Sequence, residues 1–353
     1  MGAGDRREAG LTEQTQYLEL TPSPSPGSLI NPLQNLPPGL LINKRYKLAE
    51  FLGRGGFGVV YAAEDQVGGG EVALKFLHPE WQAGPAFLER VRREVRLARQ
   101  VRDPHLVAIY ALELWQEQPF LVMERIHGTP LNRLHKEPVP WETFAPLFRR
   151  ICEGVHALHQ AGILHRDLKP GNIMVTTGGR IKILDFGMAR EADGDEPLHT
   201  RSQLMGSPLY LSPEQIRGEG ISEQSDLHQL GLILLRILTS TLPFTKTAPL
   251  LLMQEKTRNP YAWPKHLPPL PAPIQGLLRS LLDPDPHKRP AGMGQVLAIL
   301  DGLQAPPSRP RRVWLLGSTA LALLLTAAWL FLRPGASEPS PVPTPPLSVR
   351  VVE

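Results

Sequence analysis

The chain has 353 residues, enough for one large domain or two small ones, and its 42% hydrophobic content supports a real core. A net charge of +4, from 38 basic and 34 acidic side chains, is too mild to point to a nucleic-acid partner. The single cysteine, Cys152, excludes an internal disulfide and sits in an apolar helical pattern, which fits a packing role in a reducing compartment.

Residues 1–42 lack sustained periodicity and contain the PSPSPG stretch at 22–27, so they read as a disordered leader. From Tyr46 to Leu77 the pattern is strands and turns. Val59, Val60 and Tyr61 are β-formers, and Val72–Leu77 is a second strand after the glycine turn at 68–70. A helix is predicted over 85–101, with Phe87, Val91, Val95 and Leu97 or Ala98 on one side. The arginines 90, 92, 93, 96, 99 and 102 read as its solvated face. Strands over 106–114 and 120–123 complete a small, mostly β lobe with one helix.

After Gly128 the pattern turns helical. Phe144, Leu147, Phe148, Ile151, Val155 and Leu158 recur at helical spacing and stop before Gly162. Residues 223–238 are apolar almost all round, as suits a helix inside a lobe. Further helices fit 274–282 and 293–303, and the proline-rich stretch 243–273 reads as rigid loops. A folded unit over 43–304 follows, with a linker over 305–312.

Residues 313–332 carry no charge, and about 20 such residues at ~1.5 Å rise cross a hydrocarbon core. Trp314 and Trp329 sit near the two ends, where indole rings favour the interface. Arg309, Arg311 and Arg312 precede the span and only Arg333 follows it, which orients the preceding part to the cytoplasm. Residues 333–353 form a short proline-rich tail outside the membrane.

Chemistry concentrates in three places. The stretch Gly53-Arg54-Gly55-Gly56-Phe57-Gly58 runs on into β-forming residues, so it reads as a hairpin tip whose backbone N–H groups can approach phosphate oxygens. Lys75 lies in an apolar strand and needs an anionic partner. Glu94 on the following helix is the preferred one, with Glu89 as the other candidate. HRDLKPGN at 165–172, a glycine hairpin, and Asp185-Phe186-Gly187 put two carboxylates and an amide where two divalent ions and a substrate hydroxyl meet a γ-phosphate. Asp167 would accept the hydroxyl proton and Lys169 would reach the γ-phosphate. Asn172 and Asp185 would offer oxygen to Mg²⁺ or Mn²⁺. His165 reads as a core histidine.

These motifs together resemble the eukaryotic-like (Hanks-type) protein kinases, and more closely the transmembrane serine/threonine kinases of bacteria, over residues 46–303. The resemblance implies an α+β, bilobal protein-kinase fold with a small β-rich N-lobe and a mainly α C-lobe, followed by one transmembrane helix. It implies ATP and Mg²⁺, with Gly53, Gly55 and Gly58 covering phosphates and Lys75 and Glu94 as the strand–helix pair. Asp167 would be the base, and Asn172 and Asp185 the metal ligands. The adenine hinge would run from Glu124 through Ile126, behind Met123. Val60 and Ala73 would pack on one adenine face and Met174 on the other. Glu214 would pair with Arg289, and Asp226 would brace the catalytic loop. Arg166 before Asp167 suggests activation by phosphorylation at Thr200, Ser202 or Ser207. Protein Ser/Thr hydroxyls would be the acceptors, at the plasma membrane, with a homodimer through the span as a further expectation. A silent pseudokinase scaffold is the alternative; its usual mark, loss of the lysine or an aspartate, is not present.

Overall fold

Side-chain alternation along the strands decides the first lobe. The computed structural model describes residues 32–304, except 56–57, 79–84, 136, 187–207, 258–260, 262 and 265–266. Strands β1 (Leu41–Ile42), β2 (Tyr46–Gly55), β3 (Gly58–Asp65), β4 (Glu71–Leu77), β5 (Ile109–Trp115) and β6 (Gln118–Glu124) form one antiparallel sheet. Their order is β1-β2-β3-β4-β6-β5. Successive residues of a strand face opposite ways, so β4 divides its side chains. Val72, Leu74 and Phe76 join Tyr46, Tyr61 and Phe120 in an outer cluster. Ala73 and Leu77 join Leu121 and Met123 in an inner cluster. That cluster continues through helix α1 (Pro85–Ala98) into the second lobe. Lys75 shares the inner face by the same alternation.

The outer cluster has a cover that the sequence did not announce. Pro32–Asn35 forms a 3-10 turn. The Tyr61 hydroxyl donates to the Leu33 carbonyl at 2.9 Å and accepts from the Leu36 amide at 3.2 Å. Leu33, Leu36 and Leu40 pack on the cluster. Residues 32–42, placed in the leader by composition, therefore carry ordered structure. Prolines masked three leucines that the sheet needs.

The second lobe is helical. It holds α2 (Leu131–Leu134), α3 (Trp141–Gln160), α4 (Pro213–Arg217), α5 (Glu223–Thr239), α6 (Pro249–Lys256), α7 (Ala272–Leu281) and α8 (Met293–Gln304). A small sheet, β7 (Gly128–Pro130), β8 (Ile173–Thr176) and β9 (Ile181–Ile183), lies in the order of its chain. The predicted stripe of α3 is buried at Phe144, Phe148, Ile151, Val155 and Leu158. Helix α5 is buried all round, as its composition required. Helix α6 corrects the expectation of loops over 243–273. Pro249 sits in its first turn, where a missing N–H costs nothing, and leucines and other strong helix formers follow.

No helix among the described residues is long and apolar enough to cross a membrane. The expected linker, span and tail over 305–353 lie outside the described residues, as do Gly56, Phe57, Gly187 and the candidate phosphosites at 200, 202 and 207.

Candidate active site

The loop from His165 to Asn172 hangs from α5. Asp226, fully buried, accepts the His165 amide through Oδ2 and the Arg166 amide through Oδ1, both at 2.8 Å. His159 Nε2 lies 2.8 Å from the same Oδ2. One helical turn on, Gln229 grips both sides of Asp167. Its Oε1 accepts the Leu168 amide at 2.7 Å and its Nε2 donates to the Arg166 carbonyl at 2.9 Å. Gln215 of α4 donates to that carbonyl as well, at 2.8 Å. The backbone around Asp167 is thus fixed by side chains, because a turn has no ladder to satisfy its peptide groups.

Within the loop, Lys169 Nζ lies 2.8 Å from Asp167 Oδ2. The Asn172 amide nitrogen donates to the Asp167 carbonyl at 2.8 Å and to Oδ2 at 3.2 Å. That orientation leaves the Asn172 oxygen as an acceptor for a hard cation. His165 is buried and its Nε2 meets the Leu184 carbonyl at 3.0 Å. Burial pulls its pKa below 6.5 despite the charges of Asp226, Asp167 and Asp185, so the ring is neutral and structural, as expected.

Asp185 closes the site from the other side. Its Oδ1 lies 2.7 Å from Nζ of Lys75, which is 1% exposed on the inner face of β4. Burial raises the Asp185 pKa, but the charge and hydrogen bond of Lys75, with the charge of Lys169, outweigh it and hold the carboxyl below its ordinary value. Asp185 is therefore ionised at neutral pH. Both Arg166 and Asp185 adopt left-handed backbone, at φ 67° and 59°. Such residues store on the order of 1–3 kcal/mol of strain, which the hydrogen bonds around them must offset.

Glu94 of α1 points to the same cleft, with Oε1 3.8 Å from Arg166 Nη1. Glu89 is on the helix surface and pairs with Arg92, so the geometry separates the two candidates. The Lys75–Asp185 pair and the Glu94–Arg166 approach are contacts that spacing alone did not indicate.

Above the cleft, Gly53 pairs with Val60 and Gly55 with Gly58 across the β2–β3 hairpin. A Cβ on Gly58 would strike the Phe76 carbonyl, whereas one on Gly53 or Gly55 would meet nothing within 4 Å. Arg54 is exposed. At the back, Ala73 pairs with Met123, and both are buried in the inner cluster. Val60 and Met174 pack half-buried on that cluster, and Ile126 is buried within it. Glu124, at the end of β6, is held by Lys182 of β9 at 2.8 Å, and Lys182 also donates to the Leu106 carbonyl at 3.0 Å.

Residues 46–299 match the protein kinase domain family. The chain belongs to the protein kinase family. The kinase domain is 35% identical over 263 residues to the serine/threonine-protein kinase pkn2 of Myxococcus xanthus, covering 72% of this chain and 32% of that protein. It is 34% identical over 225 residues to the serine/threonine-protein kinase PknB of Mycobacterium tuberculosis, covering 62% of this chain and 36% of that one. The chain thus spans about a third of the length of such curated relatives. The crystal structure of the Mycobacterium tuberculosis PknI kinase domain superposes with a TM-score of 0.57 at 20% identity, over 76% of this chain and 99% of that one. That likeness concerns the bilobal kinase fold, a β-sheet N-lobe over a helical C-lobe.

The structure brings Lys75 against Asp185, and Lys169 and Asn172 against Asp167; the Leu184 amide, donating to the Asn172 carbonyl at 2.8 Å, joins the two groups, and Glu94 lies near Arg166. It also forms the expected Glu214–Arg289 pair, bidentate at 2.7 and 2.9 Å, with Ser225 donating to Glu214 at 2.7 Å. Sequence reasoning missed Gln229, Gln215, His159 and Lys182. Gln229 carried a usable signal: a polar residue in a helix buried all round, one turn after Asp226, must find a polar partner.

Proposed function

We propose that the chain is an ATP-dependent serine/threonine protein kinase, anchored in the cell membrane by residues 313–332 with its kinase domain, 43–304, in the cytoplasm. The observation that carries the catalytic part is the seam between the two motifs. The Leu184 amide donates to the Asn172 carbonyl at 2.8 Å, and the Leu184 carbonyl meets His165 Nε2 at 3.0 Å. Asp185 thus leaves the backbone beside the loop of Asp167. The anchor rests on the uncharged 20-residue stretch and its arginine asymmetry.

The residues fit ATP with a divalent ion. Asp185 is ionised, Asn172 presents an oxygen, and Gly53 and Gly55 leave open space on their side-chain side. Asn172 and Asp185 would hold Mg²⁺, which would supply neutralising charge for the phosphates. Lys75 holds the α- and β-phosphates from the strand, with Glu94 as its helix partner. The hinge from Glu124 to Ile126 receives adenine behind Met123, between Val60 and Ala73 above and Met174 below. Asp167 orients the acceptor hydroxyl and takes its proton, and Lys169 faces the transferring phosphoryl group. Positioning and charge do the work, since little covalent chemistry falls to the protein.

The test is transfer of labelled γ-phosphate from Mg-ATP by the purified chain to itself or to myelin basic protein. Lys75→Met and Asp167→Asn should each lower incorporation by about 10²–10⁴-fold, the weight of a positioned catalytic group. Equal incorporation by all three proteins would refute the assignment.

A further inference from the structure

Lys256 is the most unusual charged side chain outside the active site. It ends α6 and has no solvent exposure. Among the described residues no Asp or Glu forms an ion pair with it. Its Nζ instead donates to two successive carbonyls, Leu209 at 2.5 Å and Pro208 at 3.2 Å, and lies 4.7 Å over the Phe244 ring. Phe244 in turn meets Tyr261 edge-on at 5.3 Å, and Tyr261 Oη lies 3.1 Å from His228 Nε2. A buried ammonium without an anion is costly, and an apolar residue of similar volume would cost less. A stability role alone does not account for it.

Its acceptors do. Pro208 and Leu209 begin a short half-exposed segment that runs through Tyr210 and Leu211 to Ser212. Ser212 caps α4 through a reciprocal hydrogen-bond box with Gln215. Gln215 then reaches the Arg166 carbonyl, one residue before Asp167. The segment is therefore pinned at both ends: to the loop of Asp167 through Gln215, and to the lobe interior through Lys256. Through Gln215 the segment adjoins the loop of Asp167, the side on which an acceptor hydroxyl would arrive under the kinase assignment.

We infer that Lys256 is a positioning residue for acceptor binding, fixing the carbonyls of Pro208 and Leu209 so that segment 208–211 holds one shape for the incoming polypeptide. The inference rests on the kinase assignment above. Lys256 touches neither nucleotide nor acceptor.

The experiment compares full-length wild type with Lys256→Met and Lys256→Arg. Methionine fills the site and packs on Phe244 without a donor. Lys256→Met should keep or raise the melting temperature, while the KM for myelin basic protein rises about tenfold, the scale of one lost charge-assisted hydrogen bond. The KM for ATP should stay within about twofold. Amide hydrogen exchange at Leu209–Leu211 should accelerate, and Lys256→Arg should recover part of the acceptor KM. An unchanged acceptor KM, or a joint loss of melting temperature and both KM values, would overturn the inference. If wild type transfers no phosphoryl group, the kinase assignment fails instead, and exchange alone decides: unaltered protection at Leu209–Leu211 sinks the role of Lys256.

Discussion

Asp226 Oδ1 accepts the Arg166 amide at 2.8 Å, so the residue before Asp167 is suspended from a helix with no solvent-facing side. Its other oxygen takes the His165 amide. Both acceptors of one carboxylate thus serve two consecutive backbone donors. This arrangement holds Arg166 in left-handed backbone, which a loop alone would relax.

Asp226→Asn tests that suspension. An asparagine has one acceptor oxygen, and its NH₂ would face a backbone N–H. One donor is left buried and unmatched, at a cost of about 2–4 kcal/mol in stability with the charge lost too. Urea melts should show this loss, and kcat should fall by more than the fraction unfolded explains. A variant with wild-type kcat and midpoint would show that the loop keeps its shape unaided.

Gln229 supports the same loop from one turn further along α5. Gln229→Leu removes the partner of the Leu168 amide, while Gln215 still reaches the Arg166 carbonyl. The expected cost is about 1–3 kcal/mol for one unsatisfied buried amide. Since Leu168 adjoins Asp167, kcat should fall while the KM for ATP holds. Steady-state kinetics at several ATP concentrations separates the two.

These buried amides and carboxylates mark the limit of what the chain reveals before folding. Period-2 and period-3.6 patterns disclosed the β lobe, α3 and α5, because burial of apolar faces is what those patterns encode. The site clusters in sequence at 165–187, so Asp167, Asn172 and Asp185 were visible as one group. Lys75 was visible because a lysine in an apolar strand is anomalous. Gln215 and Lys182 were not, since their partners are brought close only by tertiary structure; Gln229 was marked as a polar residue in a buried helix, but its partners were not. Helix α6 and the turn at 32–35 were hidden by prolines, which begin helices as readily as they end them.

Two glycines of the β2–β3 hairpin, proposed to cover the phosphates, should separate by experiment. Gly58→Ala collides with the Phe76 carbonyl, a backbone atom of the neighbouring strand that cannot swing away. The β3–β4 pairing must distort, so the melting temperature should drop. Gly55→Ala meets nothing in the protein. It should leave stability near wild type and raise the KM for ATP, because the methyl occupies space that phosphate needs. Equal stability losses in both variants would contradict the open space seen beside Gly55.

The Glu214–Arg289 pair should make stability depend on acid in a recognisable way. Arg289 is fully buried and gives both guanidinium ends to Glu214. Burial raises the Glu214 pKa, but the hydrogen bond and charge of Arg289, with the Ser225 hydroxyl, bring it below the ordinary 4.5. A carboxyl with a lowered folded pKa contributes stability that is fully present above pH 4.5 and disappears as pH falls through the folded value. Glu214→Gln removes that contribution and leaves Arg289 buried without its anion, at about 3–5 kcal/mol near neutral pH. The difference in melting temperature between wild type and Glu214→Gln should therefore be widest above pH 5 and shrink toward pH 3. Buried His228 and His165, both held neutral, also weaken the fold as pH drops below 6.5, but equally in the two proteins. Subtracting one pH series from the other isolates the carboxyl, and a difference that stays constant down to pH 3 would show that Glu214 does not carry its charge into that pair.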